Sequence, residues 1–151
     1  MMTKNLKLIG NGPNQYTNKI RRYIKEYGLG KNIKIIENQS SVEKFLINSE
    51  IGILTSDEEG FSNSILEYMS FGLCVVATKV GGNEEAIIDN DCGYLINKND
   101  HVSLSKKLNT LIENKAIIRK MGKSSFKRVS KEFNMIKSAS DISSVYKNYL
   151  N

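Results

Sequence analysis

The sequence predicts an α/β fold, with a Rossmann-like parallel sheet flanked by helices. Short apolar runs alternate with longer segments whose apolar residues recur at helical spacing, as in chains that build parallel sheets. The apolar run Ile51–Leu54 is bounded by a polar turn, which predicts a buried strand, and the run Leu73–Ala77 is too short for a helix and too apolar for an edge strand. The stretch between them is polar, then amphipathic. Residues 51–85 therefore form a strand, loop, helix and strand, the βαβ element of a parallel sheet.

The elements follow from the same patterns along the chain. We predict strands at Leu6–Ile9, Ile33–Ile36, Ile51–Leu54, Leu73–Ala77 and Gly93–Ile96. We predict helices over residues 14–27, 42–48, 62–71, 84–88, 102–113, 115–132 and 134–150. Gly28 and Gly72 stand where helices end, and Asp100 is the expected N-cap of the helix that follows it.

Length and composition indicate one soluble, cytoplasmic domain. The 151 residues are enough for a hydrophobic core, and 40% apolar with 25% charged residues is ordinary soluble composition. No apolar stretch approaches the roughly 18 residues of a membrane-spanning helix, and Met1–Asn5 lacks the apolar core of a signal peptide. Cys74 and Cys92 are expected to be reduced thiols. With a single histidine, His101, the sequence predicts no metal site.

The net charge of +6 raises the question of an anionic partner. The lysines and arginines are spread over three predicted helices, with the densest run at residues 119–131. Aromatic residues do not interleave with them, and no nucleic-acid-binding motif is present, so we predict no nucleic-acid partner. A solvated helix face explains the charge best, and attraction to an anionic membrane surface is the alternative.

The loop after Ile51–Leu54 has the residues of a phosphate and sugar site. Ligands of open α/β sheets bind beyond the carboxyl ends of the strands, where helix N-termini offer free N–H groups and a positive dipole end. The sequence places Gly60–Ser64 at that point, between Glu59 and Glu67. A carboxylate accepts hydrogen bonds from two neighbouring hydroxyls, which suits the diols of a sugar or ribose. This combination suits a nucleotide sugar.

Each of these features also has a purely structural interpretation. Ser64-x-x-Glu67 is a capping-box pattern, in which the glutamate serves its own helix. Glu59 is also one more charge in an acidic turn with Asp57 and Glu58. The segment Gly10–Pro13 after the first strand is either a tight turn or a backbone that lies close to a nucleotide.

The segment Glu59–Glu67 resembles the E-x7-E signature of the family-four, group 1 retaining glycosyltransferases, which have the two-Rossmann-domain GT-B fold. The resemblance covers nearly the whole chain. It includes the segments Leu8–Pro13, Tyr68–Gly72, Val75–Thr78, Val80–Gly82 and Cys92–Ile96. The family usually has proline at the positions of Cys74 and Glu84.

The resemblance implies roles for individual residues. Glu59 is the candidate catalytic residue, holding hydroxyls of the donor sugar near the reacting carbon, and Glu67 holds the ribose hydroxyls. Phe61, Ser62 and Asn63 present main-chain groups to the sugar or phosphate, although Phe61 alternatively packs into the core. The full set of donor-binding residues implied is Gly10, Gly12, Glu59, Gly60, Phe61, Ser62, Asn63, Ser64 and Glu67.

The resemblance also implies that residues 1–151 are the nucleotide-sugar donor-binding domain, the C-terminal half of a GT-B enzyme. It places the acceptor-holding N-terminal domain, the first strand of the donor domain, and an Arg and a Lys that grip the diphosphate outside this chain. Many relatives act on lipid-linked acceptors at the cytoplasmic leaflet. The resemblance therefore implies a role in bacterial polysaccharide biosynthesis, with a cytoplasmic location and peripheral contact with that membrane face as the alternative to a purely solvated surface.

The expected function is binding of a nucleotide-diphospho-sugar for retaining transfer of a hexose to a glycan or lipid-linked acceptor, with no transfer by the isolated chain. UDP- and GDP-sugars are favoured, ADP-sugars stay open, and no cofactor is expected. Three alternatives belong to other classes: a sugar-nucleotide epimerase, a non-catalytic nucleotide-binding domain, and an interaction module. The epimerase requires a different acidic and histidine set. The nucleotide-binding domain does not discriminate sugars, and the module would dimerise.

Overall fold

The computed structural model describes residues 5–134 and residue 137, and the helix expected over 134–150 lies largely outside them. The chain divides into two compact units, Met1–Lys44 and Phe45–Asn151. The assignment of residues 1–151 to one donor-binding domain stays a prediction. No helix in the described part of the chain has the length and apolar character needed to cross a membrane.

The first unit is a parallel strand pair joined by a helix. Strand β1 (Leu6–Ile9) pairs with β2 (Ile33–Ile36), and helix α1 (Asn14–Glu26) connects them. Gly28 follows α1 with φ +64°, a conformation that glycine adopts without a steric penalty, and so ends the helix as expected. The short helix α2 (Glu43–Leu46) lies across the boundary of the two units.

The second unit is a three-stranded parallel sheet with helices between and after its strands. It contains β3 (Ile51–Leu54), α3 (Asn63–Ser70), β4 (Cys74–Thr78), α4 (Asn83–Ala86), β5 (Gly93–Ile96), α5 (His101–Glu113) and α6 (Lys115–Glu132). The strand order is β3-β4-β5, so β4 is central, and all five of its residues are buried. Strands buried on both faces are typical of parallel sheets covered by helices.

Alternate residues of β4 belong to two different cores, because successive side chains of a strand point to opposite faces of a sheet. Val75 and Ala77 pack with Ile65 and Met69 of α3. Cys74 and Val76 pack with residues of β5, α5 and α6, which include Tyr94, Leu111 and Met121. The sheet is therefore covered on both faces, and a ligand can reach it at the ends of its strands.

Both cysteines are buried free thiols, as predicted. Burial is the main cause that raises the pKa of the Cys74 thiol to about 12, and burial also raises the pKa of Cys92. Neither group is therefore a thiolate at neutral pH, and both act as small apolar core residues.

The predicted α/β class is confirmed, with parallel strands flanked by helices. Hydrogen bonds join the strands in two sheets, one in each unit. Four strands have the predicted bounds, while β4 begins and ends one residue later than predicted, at Cys74 and Thr78. Thr78 extends the strand because its hydroxyl donates to the Ser56 carbonyl, 2.7 Å away, so that a polar side chain is satisfied in a buried position.

Candidate functional site

The candidate site lies in the second unit, at the carboxyl edge of the β3-β4-β5 sheet. The three strands are parallel, so their carboxyl ends and the loops that follow them share one edge. A cavity of about 320 Å³ opens there, lined by residues that include Thr55, Asp57, Thr78, Asn97 and His101. A larger groove of about 640 Å³ lies near Gly72, just before β4, and therefore at the opposite edge.

Helix α3 begins at this edge without a side-chain cap. Ser62 is the N-cap residue in an extended conformation (φ −82°, ψ 112°), and its hydroxyl makes no capping hydrogen bond. Ser64 lies inside the helix, so the capping box of Ser64 and Glu67 is not formed and that interpretation is wrong. Since the first N–H groups of a helix have no intrahelical partner, the start of α3 offers donors to an anion.

Glu59 differs from the other acids of its loop. Its side chain is half-buried, and the Ser56 hydroxyl donates to the Glu59 Oε1 atom at 2.6 Å. Asp57, by contrast, is 73% exposed and pairs with Lys98 at 3.6 Å, and Glu58 is exposed. An exposed ion pair of this kind contributes little to stability. Glu59 is therefore a held carboxylate and not simply one charge of an acidic turn.

The turn at Gly81 and Gly82 packs directly on the backbone that carries Glu59. The Gly82 N–H donates to the Gly60 carbonyl at 2.7 Å. Gly81 has φ +49°, and a Cβ on it would lie 1.8 Å from the Glu59 carbonyl oxygen. Only glycine permits both this conformation and this approach. Residues 81 and 82 therefore fix the position of the loop.

The Phe61 side chain points to α6. Its ring lies 5.4 Å from the Phe133 ring, centroid to centroid, and stays 39% exposed. Arg128 lies 5.5 Å from the Phe133 ring and donates to the carbonyls of Glu85 and Ala86, at 2.7 and 2.8 Å. These contacts hold the end of α6 against α4 and the loop. The Phe61 ring therefore packs against α6, as the alternative interpretation expected.

Seven of the nine predicted donor-binding residues lie together on the loop and first turns of α3: Glu59, Gly60, Phe61, Ser62, Asn63, Ser64 and Glu67. Glu67 is exposed on α3. Gly10 and Gly12 belong to the first unit, in the turn after β1, where the Gly10 N–H donates to the Ile36 carbonyl at 3.1 Å. The roles assigned to all nine stay predictions.

Sequence reasoning missed the residues that support this loop: Ser56, Thr78 and Asn83. Asn83 is fully buried and donates from Nδ2 to the Thr78 carbonyl at 3.0 Å, while its Oδ1 atom has no hydrogen-bond partner in the described structure. A small hydroxyl residue at the end of a buried strand is the only signal that the sequence gives for such a role.

Asp100, which also lines this cavity, is an ordinary helix cap. Asp100 accepts from the Ser103 N–H at 2.9 Å, as predicted for the start of α5. Hydrogen bonds from Ser103 are the main cause that lowers the pKa of Asp100. Among the described residues, no three His, Cys, Asp or Glu side chains form a possible metal site.

The tight approach at Gly81 leads to a stability prediction. Gly81→Ala adds a methyl group in a left-handed conformation and in contact with backbone, so we expect it to lower the free energy of unfolding by about 2 kcal/mol or more. Gly60→Ala is the matched control, because a Cβ there meets nothing within 4 Å. Urea unfolding followed by circular dichroism measures both, and equal stability of the two variants would contradict the assigned packing.

Comparison with known proteins places this chain in a family. The family model described as glycosyl transferases group 1 matches residues 2–128. N-acetyl-alpha-D-glucosaminyl L-malate synthase of Bacillus anthracis is 28% identical over 141 residues, which is 93% of this chain and 36% of that protein. The chain therefore spans little more than a third of the length of this relative.

Solved structures show the same fold. The C-terminal domain of a group 1 glycosyl transferase (LpcC) from Francisella tularensis has a TM-score of 0.76 and 25% identity, over 81% of this chain and 64% of that one. Anabaena Alr3699/HepE in complex with UDP has a TM-score of 0.89 and 21% identity, over 96% of this chain and 41% of that one. These similarities confirm the GT-B type of fold, and the family model that spans most of the sequence shows that the chain belongs to the group 1 glycosyl transferases.

Proposed function

We propose that this chain is the nucleotide-sugar donor-binding part of a retaining glycosyltransferase that transfers a hexose to a glycan or a lipid-linked acceptor. The observation that carries the proposal is the half-buried Glu59, held by Ser56 directly before the uncapped start of α3. A fixed carboxylate and a set of free amides are the two groups that a sugar diphosphate requires.

Each part of the loop has its own role in the proposal. The amides of Phe61, Ser62 and Asn63, with the positive end of the α3 dipole, bind the diphosphate or the sugar. Glu59 accepts hydrogen bonds from the donor sugar near the reacting carbon, and Glu67 accepts them from the ribose. In a retaining transfer the acceptor attacks on the face that the diphosphate leaves, so prearranged donors around the diphosphate lower the barrier.

The proposed ligand is a nucleotide-diphospho-sugar, with UDP and GDP as the favoured nucleotides and without a metal or other cofactor. Anabaena HepE, which has this fold, is solved with UDP and with UDP-glucose. Gly10 and Gly12 stay proposed donor-binding residues, as the resemblance implies. The main alternative is a nucleotide-binding domain that does not distinguish a nucleotide sugar from the free nucleotide.

A thermal-shift panel tests the proposal directly. UDP-, GDP- and ADP-glucose are compared with UDP, GDP and ADP, on the wild-type chain and on Glu67→Ala. A ligand at about 100 times its Kd stabilises the folded state by about 2.7 kcal/mol, which raises the melting temperature by several degrees. We expect one nucleotide class to give this shift in the wild-type chain and to lose it in Glu67→Ala.

Glu58→Ala is the control for this panel, since it removes the same charge from an exposed side chain in the loop before α3. It should keep the full shift. A shift by free nucleotide as large as the shift by its sugar would favour the nucleotide-binding domain. Absence of a shift with every ligand would contradict donor binding by this chain.

We also expect the isolated chain to transfer no sugar, because the family pattern assigns the acceptor site and the Arg and Lys that grip the diphosphate to segments that it does not contain. Radiolabelled UDP-, GDP- and ADP-glucose, incubated with the pure chain and simple glycosides or a polyprenyl phosphate, measure transfer. Labelled product above the level made by Glu59→Ala would contradict this expectation.

Peripheral contact with an anionic membrane is part of the proposal, and α6 is the surface that supports it. Its exposed face has four cations, Arg119, Lys120, Lys123 and Lys127, beside Phe126, which is 53% exposed. Two of these cations line the groove of about 640 Å³ together with Phe71 and Phe126. Cations near an anionic surface contribute about 1 kcal/mol each, and an exposed aromatic ring adds apolar contact.

Vesicle co-sedimentation tests this contact. We expect the chain to sediment with vesicles that contain phosphatidylglycerol, and less with vesicles of phosphatidylcholine alone. The double variant K120E/K123E should lose most of the difference, and high salt should weaken binding to the vesicles that contain phosphatidylglycerol. Equal sedimentation with the two kinds of vesicle would remove the membrane from the proposal.

A further inference from the structure

A chain of hydrogen bonds connects the central strand to the Glu59 carboxylate. The Ser56 hydroxyl donates to Glu59 Oε1 at 2.6 Å, and the Thr78 hydroxyl donates to the Ser56 carbonyl at 2.7 Å. The Asn83 amide in turn donates to the Thr78 carbonyl at 3.0 Å. The three bonds run from the buried start of α4, through the end of β4, to the carboxylate at the sheet edge.

The buried end of this series of hydrogen bonds is rigid. Thr78 is 3% exposed and is the last residue of the central strand, and Asn83 is fully buried. A hydroxyl in such a place is costly to bury unless it is hydrogen-bonded, and here its one proton is used on Ser56. The position of the Ser56 backbone is therefore set by β4 and not only by its own loop.

A second connection holds the other end of the same segment. The Gly82 N–H donates to the Gly60 carbonyl at 2.7 Å, and Gly81 lies against the Glu59 carbonyl. Glu59 thus lies between two anchored residues. Ser56 is hydrogen-bonded to Thr78 at the end of β4, and Gly60 is hydrogen-bonded to Gly82 in the turn that follows. In the described structure only the Ser56 hydroxyl engages the Glu59 carboxylate, through Oε1, so the Oε2 atom is available to a ligand.

We infer that Ser56 and Thr78 are positioning residues for Glu59: Thr78 fixes the Ser56 backbone, and the Ser56 hydroxyl holds the carboxylate in the orientation that binds the donor sugar. The inference rests on the proposed function. It gives a role to two hydroxyl residues far apart in the sequence: Ser56 bonds to the carboxylate itself, and Thr78 bonds to the Ser56 carbonyl. A carboxylate held before the ligand arrives does not have to be ordered by binding, which strengthens the contact.

The first test needs no ligand. NMR three-bond couplings report whether the Glu59 side chain occupies one χ1 rotamer or several. We expect one rotamer in the wild-type chain, averaging in Ser56→Ala and in Thr78→Val, and one rotamer again in Thr78→Ser, which keeps the hydroxyl. Ser70→Ala is the matched control, since the Ser70 hydroxyl bonds to the Leu66 carbonyl within α3. An unchanged Glu59 rotamer in correctly folded Ser56→Ala would overturn the inference.

The second test measures sugar recognition. Calorimetry with UDP-, GDP- and ADP-glucose and with the free nucleotides gives, for each variant, the ratio of the affinity for a nucleotide sugar to the affinity for its free nucleotide. We expect Ser56→Ala to lower this ratio about fivefold to tenfold, within the range of one typical net hydrogen bond, with the affinity for free nucleotide unchanged. In a Glu59→Ala background, Ser56→Ala should have no further effect.

The two tests separate the inference from the proposed function. If Ser56→Ala loses the single Glu59 rotamer but keeps the ratio of sugar-nucleotide to free-nucleotide affinity, Ser56 positions Glu59 as inferred. The contact of Glu59 with the sugar, which belongs to the proposed function, would then be contradicted. An equal loss of affinity for sugar and free nucleotide in Ser56→Ala would overturn the inference, because it would show a general structural role. A Ser56→Ala effect that persists in Glu59→Ala would also overturn it.

Discussion

The close backbone contact between the turn after β4 and the loop after β3 is the constraint on which the rest of this site depends. The Gly82 amide bonds to the Gly60 carbonyl at 2.7 Å, and Gly81 leaves no room for a side chain beside Glu59. The contact joins the ends of two neighbouring parallel strands. It holds the loop against the sheet, places Glu59 at the sheet edge, and sets the point at which α3 begins. Side-chain bonds from Thr78 and Ser56 then refine what the backbone has fixed.

The site combines a rigid support with open ligand-binding groups. The central strand is fully buried between two cores, so its carboxyl end is a fixed reference for the loops around it. Ser62 leaves the start of α3 without a side-chain cap, and the backbone amides there are available for an anion. Preorganised groups of this kind act on charge that develops in a reaction without the cost of reordering.

Most of the fold could be predicted from the sequence because local patterns determine it. Apolar runs such as Ile51–Leu54 are bounded by polar turns, and Asp100 and Gly72 mark helix ends through their own chemistry. The Glu59–Glu67 segment was recognisable for the same reason, since its residues are close in sequence. The supporting bonds were not predictable, because Thr78 and Ser56 are 22 positions apart and their contact depends on strand pairing. Similarly, the position of the N-cap at Ser62, rather than Ser64, depends on where the loop is held.

Donor binding at the carboxyl edge of the β3-β4-β5 sheet is tested most directly by mapping where a nucleotide sugar contacts the chain. Amide chemical shifts are recorded while UDP- or GDP-glucose is added to the ¹⁵N-labelled protein. We expect saturable shifts at Gly60, Ser62, Asn63 and Gly82, at the carboxyl edge of the sheet. The amides of Gly72 and Gly122, at the opposite edge, should not change. Shifts concentrated at Gly72 and Gly122, with the loop before α3 unaffected, would contradict ligand binding at the carboxyl edge.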